Sequence, residues 1–220
     1  MSDVHAAARR AMCELQLAPR GIDDARVLAC MAAVPRHAFV PPTLAARAHD
    51  DHALPIGRGQ TISQPFIVAY MTQALRLDPG ARVLEIGTGT GYQTAILALL
   101  AGAVYSVERD PALLAAARTR LARLGFGGSG LAFREGDGSL GWPEEAPFDA
   151  ILCAAGAPAV PPALVAQLLA PGGRLVMPVG DKGEQRLVRA TQCDGKVEVA
   201  KLIRCAFVPL VGAQGWTELA

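Results

Sequence analysis

The chain has 220 residues, is 51% hydrophobic with 23 glycines, and carries a formal net charge of +1. It can bury the core of one large domain, and it lacks the one-signed field that phosphate neutralisation on nucleic acid requires. Its longest wholly apolar run, Ala95 to Tyr105, contains Gly102 and falls far short of the roughly 20 residues that span a bilayer.

The N-terminus opens Met-Ser-Asp-Val-His without the apolar stretch of a signal peptide, so a cytoplasmic protein is expected. The five cysteines (13, 30, 153, 193 and 205) show no C-x-x-C pair, which points to free, mostly buried thiols rather than a metal or disulfide framework. His49-Asp50-Asp51-His52 is expected to be a solvated or hydrogen-bonded loop, and no metal is expected.

Ala6 to Leu17 reads as an alanine-rich helix with Arg9-Arg10 on a solvated face. Asp23 or Asp24 caps a second helix, which runs to about Ala33 and is stopped by Val34-Pro35. Phe39-Val40-Pro41-Pro42 is an extended anchor ahead of a short helix. Leu54 to Gln60 reads as a glycine-containing loop with no strand after it. Thr61-Ile62-Ser63-Gln64 leads into an amphipathic helix from Pro65 to Leu75, with Pro65 suited to its first turn. Residues 1–80 therefore read as a helical extension with an active-site loop, and 81–220 as a cofactor-binding core.

From Arg82 the rhythm changes. Strands are expected at Arg82 to Ile86, Val104 to Val107, Leu131 to Arg134, Asp149 to Cys153 and Arg174 to Pro178. Helices are expected from Gly91 to Leu100, from Pro111 to before Gly125, and from Pro162 to Leu169. Apolar β-branched runs alternating with helices describe a parallel sheet covered on both faces. After Gly180, the segments Gln185 to Thr191 and Val197 to Pro209 flank Cys193-Asp194-Gly195 as a hairpin.

The chemistry concentrates in Arg82-Val83-Leu84-Glu85-Ile86-Gly87-Thr88-Gly89-Thr90-Gly91-Tyr92. A buried strand carrying a carboxylate turns through G-x-G-x-G into a helix, and Glu108 closes the next strand about 20 residues on, where an acid grips ribose hydroxyls. Tyr92 stands where a dinucleotide fingerprint wants its third glycine. Bulk there would crowd a pyrophosphate, so a nucleoside without one, such as S-adenosylmethionine, fits better. Asp137, between glycines, either reaches a ligand edge such as an adenine amino group or binds its own backbone in a turn. Neither Gly-x-Ser-x-Gly nor Tyr-x-x-x-Lys occurs, which disfavours a hydrolase and a dehydrogenase.

Several stretches extend this reading: Val34-Pro35-Arg36-His37-Ala38-Phe39-Val40-Pro41, Ala53-Leu54-Pro55-Ile56-Gly57-Arg58-Gly59-Gln60-Thr61-Ile62-Ser63-Gln64-Pro65, Val107-Glu108-Arg109, Gly136-Asp137-Gly138, Pro171-Gly172-Gly173 and Phe207-Val208-Pro209-Leu210. Through them the chain resembles the protein-L-isoaspartate (D-aspartate) O-methyltransferases over nearly its whole length. The block from Leu54 to Pro65 is what distinguishes that family from other methyltransferases.

The resemblance implies an α/β S-adenosylmethionine-dependent methyltransferase fold: a Rossmann-like, mostly parallel seven-stranded sheet with a rearranged C-terminal hairpin and an N-terminal helical extension. It implies S-adenosyl-L-methionine as methyl donor, S-adenosyl-L-homocysteine as product, and proteins and peptides containing isoaspartyl residues as partners. Ser63 takes the family's catalytic position. Ile62, Glu85, Gly87, Thr88, Gly89, Gly91, Tyr92, Glu108, Arg109, Gly136, Asp137 and Gly138 take its cofactor-binding positions. A monomer without nucleic-acid or membrane partners is expected.

His49, Ala154 and Ala157 depart from residues common in the family. A methyltransferase for another carboxylate and a non-catalytic cofactor-binding scaffold remain the alternatives.

Overall fold

The computed structural model describes residues 4–128, 130–168, 171–193 and 195–217. Helix α1 (Ala6–Ala11) widens into π-helical turns over Met12–Leu17. Arg9 is buried, with Nε donating to the Ala32 carbonyl at 2.9 Å, so the solvated face expected for the Arg9-Arg10 pair holds only for Arg10. Helix α2 (Ala25–Ala33) starts where the Asp24 carboxylate accepts from the amides of Arg26 and Val27. This satisfies two donors that have no partner inside the helix. Short 3₁₀ turns follow at Arg36–Phe39 and Pro42–Arg47.

The loop expected from Leu54 to Gln60 is instead an antiparallel hairpin, β1 (Leu54–Gly57) and β2 (Gln60–Ile62), with Leu54 opposite Ile62. Its turn places Arg58 and Gly59 at φ of 55° and 70°. Pro55 and the two glycines weaken any strand signal in so short a run. The pairing nevertheless sets Leu54 and Ile62 inward as core residues. Helix α3 (Pro65–Leu75) follows at once, with the bounds its proline start suggests.

The remaining elements are β3 (Arg82–Ile86), α4 (Tyr92–Leu100), β4 (Ala103–Glu108), α5 (Pro111–Arg123), β5 (Leu131–Glu135), β6 (Ala150–Cys153), α6 (Pro162–Ala166), β7 (Arg174–Asp181), β8 (Glu184–Cys193) and β9 (Lys196–Cys205). They form a seven-stranded sheet in the order β5-β4-β3-β6-β7-β8-β9. Pairing is parallel as far as β7 and antiparallel from β7 to β8 and β9.

Boundaries shift where backbone partners are used otherwise. Asp149 precedes β6 and accepts from the Arg82 amide. β7 runs on past Pro178 to Asp181 and pairs with residues 184–191 of β8. β9 ends at Cys205, and the segment after it returns to hydrogen-bond with Gly156. Leu169, at the expected end of the helix from Pro162, and Asp194, in the hairpin turn, lie outside the described residues. Cys13, Cys30 and Cys153 are buried free thiols, while Cys193 and Cys205 are half-buried.

Adjacent strand residues point to opposite faces, and each face is sealed. Val83, Val104, Ala150, Leu152 and Val176 pack with Met71, Leu75 and Leu97 from α3 and α4. Leu84, Ile86, Ile151, Leu175 and Met177 pack with Phe148, Leu164 and Leu168 on the other side. A third cluster joins Met12, Leu17, Met31 and Phe39 of the extension to Tyr92, Ile96 and Leu121 of the core. The extension is thus packed into the sheet domain and shares its interior.

Gly91 caps α4 in a left-handed conformation, φ 84°, and a Cβ there would lie 3.0 Å from Leu121 Cδ1. Gly91→Ala should cost about 1–3 kcal/mol of stability through strain and crowding against α5, measured by urea unfolding. A change below about 0.5 kcal/mol would contradict this packing role.

Candidate active site

One cavity opens beyond the C-terminal ends of β3, β4 and β6, the usual ligand position in an open parallel sheet. Its walls come from segments far apart in sequence. The glycine turn contributes Gly87, Thr88, Gly89 and Thr90, and the end of β4 contributes Glu108 and Arg109. Gln60, Thr61, Ile62 and Ser63 come from the hairpin and the linker to α3. Phe207, Val208, Pro209, Leu210 and Val211 close another side.

Glu108 is buried, and its carboxylate organises the turn. Oε2 accepts from the Gly89 amide at 2.9 Å and Oε1 from the Asp110 amide at 3.0 Å. Each oxygen keeps a further lone pair, the pattern needed to accept from two vicinal hydroxyls. Gly87 and Gly89 have φ of 92° and 53°, and a side chain at Gly89 would meet no protein atom within 4 Å. The missing Cβ leaves room beside Glu108, so the residues present fit an adenosyl group whose ribose lies on that carboxylate.

Glu85 sits one layer below. It is fully buried and does not line the cavity, which corrects the expectation of direct contact. Its Oε2 accepts from the Thr94 and Ser106 hydroxyls, both at 2.6 Å, and Ser106 Oγ lies 2.6 Å from Thr88 Oγ1. Glu85 therefore braces the glycine turn from beneath. Burial pushes its pKa up to about 7 and nearby Glu108 adds to the rise, while the two hydroxyl bonds oppose it.

Gly91 also lies off the cavity, for the packing reason already given. Tyr92 borders the cavity, but its ring is turned into the core, with the hydroxyl 3.7 Å from Met31 Sδ. It is buried edge-to-face on Phe39, with centroids 5.4 Å apart, so bulk at this position welds the extension to α4. Gly138 lines the cavity, whereas Gly136 and Asp137 face a neighbouring recess with Arg109 and Trp216. Asp137 Oδ1 accepts from the Ser139 amide and hydroxyl, and Oδ2 from the Ala213 amide. These bonds are the turn role, extended to hold the C-terminal segment.

Ser63 is half-buried and on the cavity wall. Gln64 is the N-cap of α3 and no side chain caps that helix, so Ser63 does not serve as the cap. Among the described residues its hydroxyl forms no hydrogen bond, while the Gln64 amide group is tied to Asp51 Oδ2 at 2.9 Å. Asp51 also pairs with Arg20, so the stretch from His49 to His52 is a hydrogen-bonded turn. At the hairpin tip, Arg58 forms an ion pair with Asp110, two residues past Glu108.

Sequence reasoning missed this latch, the Gln60 contribution and the wall from Phe207 to Val211. The last could have been suspected from Pro209, which interrupts an otherwise extended run. Of the three departures, Ala154 borders the cavity, while His49 and Ala157 are buried away from it.

The fold and cavity define an S-adenosylmethionine-dependent methyltransferase. The family model described as protein-L-isoaspartate(D-aspartate) O-methyltransferase matches residues 8–215. A Marinobacter nauticus protein-L-isoaspartate O-methyltransferase is 55% identical over 210 residues, covering 94% of each chain. One from Anaeromyxobacter dehalogenans is 57% identical over 195 residues, covering 86% of this chain and 91% of its own. A solved protein-L-isoaspartate O-methyltransferase superposes with a TM-score of 0.82 at 29% identity, over 94% of this chain and 67% of that one. A Plasmodium falciparum structure, described as a protein-L-isoaspartate O-methyltransferase (beta-aspartate methyltransferase) in complex with S-adenosyl-L-homocysteine, gives 0.79 at 26% identity, over 92% of this chain and 98% of that one. This chain belongs to the protein-L-isoaspartate(D-aspartate) O-methyltransferase family.

Because its folded pKa is raised, Glu85 keeps a proton in the native state that the unfolded chain loses above the ordinary value of 4.5. Stability therefore falls as pH climbs from about 4.5 to about 7, by up to on the order of 3 kcal/mol. Glu85→Gln should be more stable than the parent at pH 8 and indistinguishable from it near pH 4.5, as read by chemical denaturation at both. An equal difference at the two pH values would contradict this assignment.

Proposed function

We propose that the loop 61–64 and the ends of β3 and β4 carry the family's methyl transfer, with Ser63 orienting the acceptor and Glu108 the donor. The reaction moves a methyl group to the free α-carboxylate of an L-isoaspartyl or D-aspartyl residue in a damaged protein or peptide. The resulting ester closes to a succinimide, whose hydrolysis returns some normal aspartate. The single observation behind the assignment of roles is that Ser63 and Glu108 line the same cavity.

S-adenosyl-L-methionine supplies an electrophilic methyl group on a sulfonium. The protein supplies alignment and dryness. A carboxylate with an ordinary pKa near 4 is already ionised at neutral pH, so no general base is needed. Ser63 donates its hydroxyl to one carboxylate oxygen and leaves the other to point at the methyl. A covalent role is disfavoured because no histidine lines the cavity beside it. Glu108 would hold the ribose hydroxyls, and the Gly87 and Gly89 backbone would let the nucleoside approach closely. Apolar Val68, Met71, Leu152 and Phe207 lower the local polarity. Positive and negative charge cancel as the methyl moves, so a dry, weakly polar wall favours transfer over the separated ions. Fixing the two reactants in line contributes several kcal/mol more.

A monomer in the cytoplasm is part of the same proposal. Large exposed apolar side chains are scattered, as at Leu15, Leu99 and Val199, and no described helix is long and apolar enough to cross a membrane. Sedimentation at micromolar concentration tests the oligomeric state.

Methanol released by mild base, compared between an isoaspartyl peptide and its aspartyl twin, tests the substrate. Methylation of the isoaspartyl peptide alone is expected, and equal labelling of the twin would point to a general carboxylate methyltransferase. Ser63→Ala should lower kcat by about 10²-fold with cofactor affinity near normal in calorimetry. Parallel loss of cofactor binding would make Ser63 a structural residue. Glu108→Gln should weaken S-adenosylmethionine binding by about 10- to 100-fold through the loss of charge-assisted hydrogen bonds. Unchanged affinity would remove the ribose from that carboxylate.

A further inference from the structure

Arg36 has no solvent exposure, lies outside the cavity, and forms no ion pair among the described residues. A charge this deep is costly in desolvation, and its burial holds the guanidinium pKa below the usual range. An aliphatic side chain would fill the volume without that penalty, so what arginine does here must lie in its directional donors.

Two of those donors find carbonyls, one of them on the active-site loop. Nη2 donates to the Ser63 carbonyl at 2.8 Å, and Nε donates to the Ala48 carbonyl at 2.6 Å, on the turn ahead of the β1–β2 hairpin. The guanidinium also lies over the Tyr92 ring, 4.8 Å from its centroid, and Tyr92 is the first residue of α4 after the glycine turn. One side chain thus joins the acceptor side of the cavity, through Ser63, to the donor side, through Tyr92.

We infer that Arg36 is a positioning residue for methyl transfer, setting the Ser63 main chain at a fixed place relative to the glycine turn. It touches neither reactant and acts through Ser63, so the inference rests on the role given to that serine. Lysine cannot replace it. An ammonium offers a point charge and cannot donate as a planar fork to two carbonyls while stacking on a ring. Displacements of about 1 Å at a transfer site are worth on the order of 10²-fold in rate.

The test uses full-length Arg36→Lys, Arg36→Met and Ser63→Ala, and the Arg36→Lys/Ser63→Ala double variant. For each, kcat and KM on an isoaspartyl peptide, calorimetric affinity for S-adenosylmethionine and the thermal midpoint are measured. Arg36→Lys is expected to lower kcat by about 10- to 100-fold, with peptide KM and cofactor affinity within about threefold of the parent. Arg36→Met should lose as much turnover, or more. Because the effect passes through Ser63, the double variant should turn over no more slowly than Ser63→Ala alone.

If Ser63→Ala keeps its turnover, the serine assignment fails and takes this inference with it. If Ser63→Ala is impaired, three results overturn the role of Arg36 alone: an unimpaired Arg36→Lys, losses that multiply in the double variant, or a rate loss matched by weakened cofactor binding. If neither Arg36 variant folds, the residue is a structural anchor and the positioning role is likewise overturned.

Discussion

The active site depends on the packing of Tyr92 against Phe39. The Tyr92 backbone begins α4 at the end of the glycine turn, so its position is dictated by the sheet. Its ring belongs to the core of the extension, edge-on to Phe39 and beside Met31. Tyr92 therefore adds a shared residue to the helix packing that joins the extension to the sheet, and the hairpin leading to Ser63 is held over the strand ends. Buried aromatic pairs of this kind stabilise beyond the area they remove from water. Here the larger consequence is geometric, because the contact ties together the elements that carry facing walls of the cavity.

A second constraint comes from carboxylates at different depths. Glu108, at the cavity wall, takes one backbone amide on each oxygen and retains acceptor capacity for a ligand. Glu85, beneath it, has both hydroxyl donors on Oε2, and Oε1 is buried without a partner. Burial keeps the deeper acid neutral below its raised pKa of about 7. Two acids at different depths thus meet different surroundings, and only the one at the cavity wall has oxygens a ligand can reach. The strand position of an acid thus does not fix its role; its solvation does.

Much of this was legible in the sequence. The parallel core reads clearly because its strands are apolar and β-branched, and β3 from Arg82 to Ile86 has the expected bounds. The glycine turn and Glu108 are carried by spacing that backbone geometry demands. What stayed hidden was set by tertiary partners. The β1–β2 hairpin has too few residues, and too much proline and glycine, to announce itself. Tyr92 reads as bulk at a ligand site until the extension supplies Phe39 and Arg36 as neighbours. Asp137 between glycines looks ligand-facing until residue 213 arrives, from 76 positions away, to take its second oxygen.

The central claim, that loop 61–64 and the Glu108 turn form one transfer site, is tested most directly by a crystal structure with S-adenosyl-L-homocysteine and an isoaspartyl peptide bound together. The expected result is ribose on the Glu108 carboxylate, the product sulfur facing loop 61–64, and the peptide carboxylate within hydrogen-bond distance of the Ser63 hydroxyl. A complex in which the peptide is ordered but its carboxylate lies on other residues, with Ser63 turned away from the sulfur, would contradict it.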